Sequence, residues 1–317
     1  MMEVIKANSS SDIKLNKTSI ALGTFDGVHL GHQQIIKEAV LRAKECSLQS
    51  MIYTFDPHPL QVICPGSGPS LITSLQERIE LLKEFEPDYI YVQHFTPAFA
   101  ALDYREFVVN YLVKSFGAQQ LVVGEDFSFG HQGHGDISSL QKLASDYGFN
   151  VTAQETVCID GQRVKSTIIR RLIGEGRMER ASSFLGRYFS LSGEVVSGSG
   201  RGRGIGYPTA NINPPEEIVS PARGVYAVMV DLEGKVFPGV ANLGCRPTFN
   251  DSSLSMEVHL LDYQGDLYRR ELQVEFISYL RPEISFSSPE RLKERIGRDI
   301  ISARRTLEER SLISPGA

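Results

Sequence analysis

Tryptophan is missing altogether from this 317-residue chain, and cysteine is scarce: only Cys46, Cys64, Cys158 and Cys245. No two cysteines form a C-x-x-C pair and their scatter fits no disulfide framework, so a reduced, cytoplasmic setting is expected. Positive charge is not in excess either, since 33 Lys and Arg against 38 Asp and Glu leave a net charge of −5. That balance offers no overall basic field to a nucleic acid or an anionic membrane. No apolar run approaches the ~18 residues of a membrane span. The N-terminal "MMEVIKANSSSDIKLN" has no basic stretch followed by an apolar one, so no secretory signal is expected. Small-molecule partners remain, with no nucleic acid and no membrane; weak self-association stays open.

What is present divides the chain in two. With 41% hydrophobic residues, the length predicts about two domains at roughly 100–200 residues each, both large enough for a core. Strand signals at 19–25 (SIALGTF), 50–55 (SMIYTF), 88–95 (DYIYVQHF), 120–124 (QLVVG) and 150–156 (NVTAQET) alternate with helical ones. The helix over 34–46 has Ile35, Ile36, Ala39, Val40 and Ala43 at helical spacing. Another over 74–85 opens with Ser74 and Glu77, a capping box, and a third covers 105–116. Such alternation predicts a mostly parallel α/β sheet, with ligands outside the carboxyl ends of its strands. Beyond about residue 186 the cadence changes to short β-branched and aromatic runs broken by Gly, Pro and Asp. An antiparallel barrel or sandwich is expected there, closed by a charged helix over 288–311. The boundary is placed near 182–188.

Two H-x-G-H stretches stand out. The first lies in "GTFDGVHLGHQQII" (23–36), where a strand hands over to a helix through Gly23, Gly27 and Gly31. Glycine lets backbone approach a ligand, and a helix N-terminus offers N–H groups to an anion. His29 and His32, three apart, could face one ligand oxygen and donate to charge developing on a phosphate. Ordinary loop histidines are the plain alternative; a zinc site lacks a third ligand at suitable spacing. The stretch resembles the H-x-G-H signature of the nucleotidyltransferase superfamily. That resemblance implies ATP contacts at Gly23, Thr24, Phe25, Asp26 and Gly31, with His29 and His32 catalytic. "VKSTIIRRLIGEG" (164–176) is similar to the superfamily's S-T-x-I-R segment, which implies triphosphate contacts at Ser166, Thr167 and Arg170. Ile168 stands where Arg is usual, so its role would pass to Arg170, Arg171 or Lys165.

The second stretch, "VGEDFSFGHQGHGD" (123–136), follows a strand and places Asp126, Phe127 and Phe129 among glycines. Aromatics there could stack on a flat heterocycle or plug the core, and residue type alone favours the core. Together with "YTFDPHP" (53–59), this stretch resembles the bacterial bifunctional riboflavin kinase/FMN adenylyltransferase (FAD synthetase) family. Flavin contacts at Asp56, His58, Asp126, Phe127 and Phe129 are what the resemblance implies. The family tends to have Arg or Lys where this chain has His131 or His134. A phosphate contact through histidine would weaken above pH ~6.5.

In the second half, "GEVVSGSGRGRGIGYPTANI" (193–212) looks like a phosphate loop but fits neither the Walker nor the dinucleotide-binding spacing. A Gly/Arg-rich RNA-binding segment is the competing reading. The stretch is similar to the riboflavin kinase pattern, including P-T-A-N. That similarity implies ATP contacts at Gly198, Gly202, Arg203, Gly206 and Pro208, and Mg²⁺ held by Thr209 and Asn211. In "SMEVHLLDYQGDLYRREL" (255–272), Glu257 and His259 share one strand face opposite Met256 and Val258. The resemblance makes Glu257 the base that helps an alcohol attack phosphate; an exposed strand carboxylate is the alternative. Arg269 stands where the family usually has Gly, and a local turn difference is expected there. "GVYAV" (224–228), "NLGCRPTF" (242–249) and "YLRPEISFSSPERL" (279–292) match further family blocks.

The expectation is thus α/β + β. Residues 1–185 would form a Rossmann-like nucleotidyltransferase domain with a parallel sheet. Residues 186–317 would form an antiparallel six-stranded β-barrel with a terminal helix. With ATP and Mg²⁺, the barrel would convert riboflavin to FMN and the first domain FMN to FAD, releasing pyrophosphate. Two other classes are weighed: a flavin-binding protein retaining only one activity, and a metal-dependent hydrolase built on the two H-x-G-H elements.

Overall fold

The computed structural model describes residues 2–7, 14–198, 201–204, 206–245 and 254–311, apart from the side chains of Arg201, Arg203, Cys245, Leu254, Arg310 and Ser311. Residues 246–249 of the "NLGCRPTF" block lie outside the described residues, as does the side chain of Arg203. The chain forms two compact units, Met1–Ser166 and Thr167–Ala317. Among the described residues, no helix is long and apolar enough to cross a membrane.

The first unit contains strands β1 (Glu3–Ala7), β2 (Thr18–Leu22), β3 (Gln49–Asp56), β4 (Tyr89–His94), β5 (Ala118–Gly124) and β6 (Asn150–Gln154) in one sheet of order β1-β4-β3-β2-β5-β6. Every pairing in it is parallel. All five residues of β2 are buried, as a strand covered on both faces requires. Ile20 and Leu22 join one core and Ala21 the other, so the strand's period of two feeds both layers. On one face lie α1 (Leu30–Cys46) and α3 (Leu75–Lys83); α1 buries Ile35, Ile36, Ala39, Val40 and Ala43, the five residues its spacing marks out. The Ser74 side chain caps α3 by accepting from Glu77 N at 3.1 Å.

Between these come α2 (Pro59–Ile63), then α4 (Pro97–Ala100) and α5 (Tyr104–Glu106). The helix expected at 105–116 continues from α5 as a π-helical stretch, Phe107–Ser115, which buries Phe107, Val108 and Leu112 in the other core. That core also takes Leu140, Leu143 and Ala144 of α6 (Ile137–Tyr147), capped by Asp136 and stopped by left-handed Gly148. A two-stranded hairpin, β7 (Cys158–Ile159) and β8 (Gln162–Arg163), precedes Ser166. Strand order runs outward in both directions from the β2–β5 pair. The crevice outside their carboxyl ends is therefore the topological switch point, where open α/β sheets bind ligands.

The second unit begins within α7 (Ser166–Gly174), continues through α8 (Met178–Leu185), and closes a barrel. Its strands are β9 (Phe189–Val196), β10 (Ala210–Ile212), β11 (Gly224–Leu232), β12 (Lys235–Cys245), β13 (Leu254–Leu260) and β14 (Glu271–Arg281), ordered β10-β13-β12-β11-β14-β9 and antiparallel throughout. A short α9 (Arg201–Gly204) lies between β9 and β10, and α10 (Pro289–Ser311) packs on β11, β12 and β14. α8 packs on β9 and β14, which is why it belongs with the barrel. Met256, Val258, Ala210, Ile212, Ala241, Leu243 and Tyr226 fill the interior. Burial pushes the Tyr226 phenol well above its ordinary value. Arg281 grips Asp299 of α10 with two donors, at 3.0 Å from Nε and 2.7 Å from Nη2.

Candidate active sites

At the switch point, the loop leaving β2 turns through three left-handed residues: Phe25 (φ 50°), Gly27 (φ 82°) and Val28 (φ 39°). A β-branched residue there is strained, and such strain persists only where surrounding structure enforces it. The enforcement is visible. Asp26 is wholly buried, and its carboxylate accepts from Ile72 N at 2.9 Å and Thr73 N at 3.2 Å. Gly27 N donates to Thr73 Oγ1 at 3.1 Å, and the buried Phe25 ring joins the α1-side core. The Thr24 carbonyl accepts from Thr54 Oγ1 at 2.9 Å.

The chain then delivers His29 as the cap of α1. His29 Nδ1 accepts from His32 N at 3.2 Å, so in the neutral ring the hydrogen resides on Nε2. The His29 and His32 rings stack at 3.5 Å, and Phe25 meets His32 edge-on. A Cβ at Gly31 would stand 3.2 Å from the His29 ring, and one at Gly23 would stand 3.0 Å from the Phe25 ring. These two glycines serve by what they leave out. Ser166 Oγ donates to the Asp26 carbonyl at 3.2 Å, so the last residue of the first unit returns to the same loop. Thr167, exposed, and Arg170, half-buried, fall in the second unit.

The other flavin and nucleotide candidates of the first unit lie at neighbouring strand ends. Asp56 ends β3, and His58 is buried as the cap of α2, accepting from Leu60 N at 3.2 Å. Past β5, exposed Asp126 pairs with Lys165 at 2.6 Å. Phe129 enters the core and stacks on the half-buried Phe127 at 5.3 Å. The second H-x-G-H is a tight turn closed by a bridge from Phe129 to Gly135. The glycines flanking it have steric work: a Cβ at Gly130 or Gly135 would strike Tyr104 at 2.6 or 2.8 Å. His131 and His134 are exposed and face each other edge-on at 6.3 Å. Among the described residues, no three His, Cys, Asp or Glu side chains gather as a metal cluster.

In the barrel the candidates are brought together by register. Glu257 on β13 pairs with Asn211 on β10 and with Asn242 on β12, so one row of the outer face carries three polar side chains. His259, one pleat along, is half-buried and its Nδ1 lies 2.7 Å from the Pro208 carbonyl. The glycine-rich segment meets this row at Gly198. A Cβ at Gly198 would collide with the Asn211 amide, and one at Gly202 would collide with the Tyr207 carbonyl and stand 3.2 Å from Thr209 Oγ1. Gly206 takes a left-handed φ of 91° in the exposed turn before Pro208. Arg269 has a φ of 61°, the conformation a glycine would supply.

Two residues of these sites escape a reading of the sequence. Asn242 shows only as a polar residue in an apolar strand. Arg78 lies on the stripe that α3 buries with Ile79 and Leu82, a charge where a hydrophobe belongs.

The FAD synthetase family model matches residues 11–168 and the riboflavin kinase model residues 185–307. A protein of Escherichia coli named bifunctional riboflavin kinase/FMN adenylyltransferase is 41% identical over 286 residues, 90% of this chain and 91% of its own. A protein of the same name from Haemophilus influenzae is 34% identical over 304 residues, covering 96% and 98%. A crystal structure titled macrolide-efflux protein from Streptococcus pneumoniae is similar over 95% of this chain and 98% of its own, at 28% identity and a TM-score of 0.88.

Proposed function

The chain belongs to the bifunctional riboflavin kinase/FMN adenylyltransferase family, and we propose that its barrel makes FMN and its parallel-sheet unit turns FMN into FAD, with the two functions meeting near residue 185. The observation that carries the residue assignments is the register of β13, which pairs Glu257 with Asn211 on one side and Asn242 on the other, with Gly198 against the Asn211 amide.

In the kinase step, Glu257 takes the proton of the riboflavin 5′-hydroxyl as that oxygen bonds to the γ-phosphorus of ATP and the bond to the β-phosphate oxygen breaks, giving FMN and ADP. Thr209 and Asn211 offer a hydroxyl and an amide oxygen, donors suited to a hard cation. Gly198 lies so close to the Asn211 amide that no Cβ fits there, and a Cβ at Gly202 would stand 3.2 Å from Thr209 Oγ1, a close backbone approach that suits Mg²⁺ with its phosphates. When bound, Mg²⁺ neutralises phosphate charge. Asn242 is the partner of Glu257 on the neighbouring strand.

In the adenylyl-transfer step, a phosphate oxygen of FMN attacks the α-phosphorus of a second ATP and pyrophosphate leaves. His29, with its Nε2 hydrogen, and the stacked His32 donate to the charge that builds on the phosphorus oxygens, beside the N-terminus of α1. Asp26 fixes the loop from below, and Ser166 braces it at the Asp26 carbonyl. Asp56, His58, Asp126 and Phe127 offer the flavin its contacts, with Phe129 backing them from the core. No covalent enzyme intermediate is needed. The exposed free thiols of Cys46, Cys64 and Cys158 favour a cytoplasmic location.

The test supplies the purified chain with riboflavin, ATP and Mg²⁺ and separates the flavins by chromatography. FMN should appear first and FAD should follow it. FMN accumulating with no FAD, even from added FMN, would leave a kinase alone.

A further inference from the structure

Arg78 is the largest fully buried side chain of the described residues, 1% exposed, and the steps above do not use it. Burying a guanidinium is costly unless acceptors replace water. Here they come from the ends of two neighbouring strands. Nη1 donates to the Thr24 carbonyl at 2.9 Å and Nη2 to the Phe55 carbonyl at 3.0 Å, with Asp56 Oδ1 3.6 Å from Nη2. Burial pushes the guanidinium below its ordinary value, and the carboxylates of Asp26 and Asp56 push it back up. Its Nε finds no hydrogen-bond partner among the described residues. A buried cation left one bond short is a poor device for stability alone.

Its partners belong to two different loops. Thr24 lies in the loop that delivers His29 and His32; Phe55 and Asp56 end β3 and lead into the one that carries His58. β2 and β3 are parallel neighbours whose register reaches Leu22 opposite Tyr53, so Thr24 and Phe55 each lie two residues past that last pair. A planar fork can hold both carbonyls at once, whereas a single ammonium cannot hold both with the same geometry.

We infer that Arg78 is a positioning residue for adenylyl transfer, setting the nucleotide loop against the flavin loop so that the two substrates meet in line. The inference rests on the adenylyltransferase reading of the first unit. Each loop also has anchors of its own: Asp26 on Ile72 and Thr73 for one, the His58 cap for the other. Losing the fork therefore leaves each pocket able to bind and disturbs only their alignment.

The experiment compares Arg78→Lys and Arg78→Met with the unsubstituted chain. It measures kcat and KM for FMN and ATP in FAD formation, FMN binding by flavin fluorescence, and FMN formation by the barrel of the same chain. A displacement of about 1 Å can cost about 100-fold in rate. Arg78→Lys should thus lower the kcat of FAD formation by about 10- to 100-fold while both KM values stay within about threefold. FMN formation should be unchanged. Wild-type kcat in Arg78→Lys overturns the inference. A rise in KM at constant kcat does so too, because it makes Arg78 a binding residue. Loss of FMN binding in both variants also overturns it, because it makes Arg78 a fold residue. If the unsubstituted chain makes no FAD from FMN, it is the adenylyltransferase reading that fails.

Discussion

The two units hold their candidate reacting groups by different means. In the parallel-sheet unit the groups sit on loops at strand ends, and buried polar contacts keep the loops in place: Asp26 on the backbone of Ile72 and Thr73, Arg78 on the carbonyls of Thr24 and Phe55. In the barrel they sit on the strands themselves, where pairing alone aligns Asn211, Glu257 and Asn242. A loop site needs strain and supporting charge, and it spends left-handed residues such as Val28 to make its turns. A strand site needs neither, but it depends on register and on what lies over the row. Substitutions at the supporting residues of the first unit should therefore act through loop placement, whereas Glu257 in the barrel row should act through its own chemistry.

The sharpest test of that contrast is Glu257→Gln. Losing a general base costs about 10²- to 10⁴-fold, so FMN formation should all but vanish while added FMN is still converted to FAD. Next comes His32→Ala, expected to lower FAD formation by about 10²- to 10³-fold with FMN formation intact, as for removal of a donor to developing charge. A smaller effect is expected of Gly198→Ala, whose new Cβ would press on the Asn211 amide. Overpacking of about 1–3 kcal/mol should raise the KM for MgATP in the kinase step roughly tenfold, with the adenylyl-transfer KM unchanged. Smallest is Arg269→Gly. Relief of a left-handed conformation, offset by glycine's entropy in the unfolded chain, should stabilise the protein by up to about 1 kcal/mol, read as a small rise in Tm with both activities kept.

How far the sequence announces these arrangements also differs between the units. Helix α1 is legible because its five buried residues recur at helical spacing, and the start of α3 is legible because Ser74 and Glu77 form a local cap. Strand β10 is not: it has three residues, and its Thr–Ala–Asn neighbourhood reads as phosphate loop. β1 hides in a polar N-terminal stretch that pairs with β4, some eighty residues away. The strand-to-helix setting of His29 and His32 is local and declares itself, as does the strand position of Glu257, whereas the cap that His29 makes shows only in the structure. The Asn242–Glu257 pairing is a matter of register between strands. The fork of Arg78 depends on contacts reaching 54 and 23 residues back along the chain, which no local pattern encodes. Residue type alone favours the core for the aromatics after β5, and Phe129 is there, while Phe127 keeps a half-exposed face. The second H-x-G-H shares spelling with the first but not its setting, since it is a tight turn whose flanking glycines, Gly130 and Gly135, serve the close approach to Tyr104.

The central claim is that two separate sites act in succession on a flavin that passes between them as FMN. Complementation tests it most directly: Glu257→Gln and His32→Ala are each incubated with riboflavin, ATP and Mg²⁺, alone and then mixed, and FAD is measured. Alone, Glu257→Gln should leave riboflavin unchanged and His32→Ala should stop at FMN, while the mixture should make FAD. The account would be contradicted if either substitution abolished both steps, or if the mixture made no FAD.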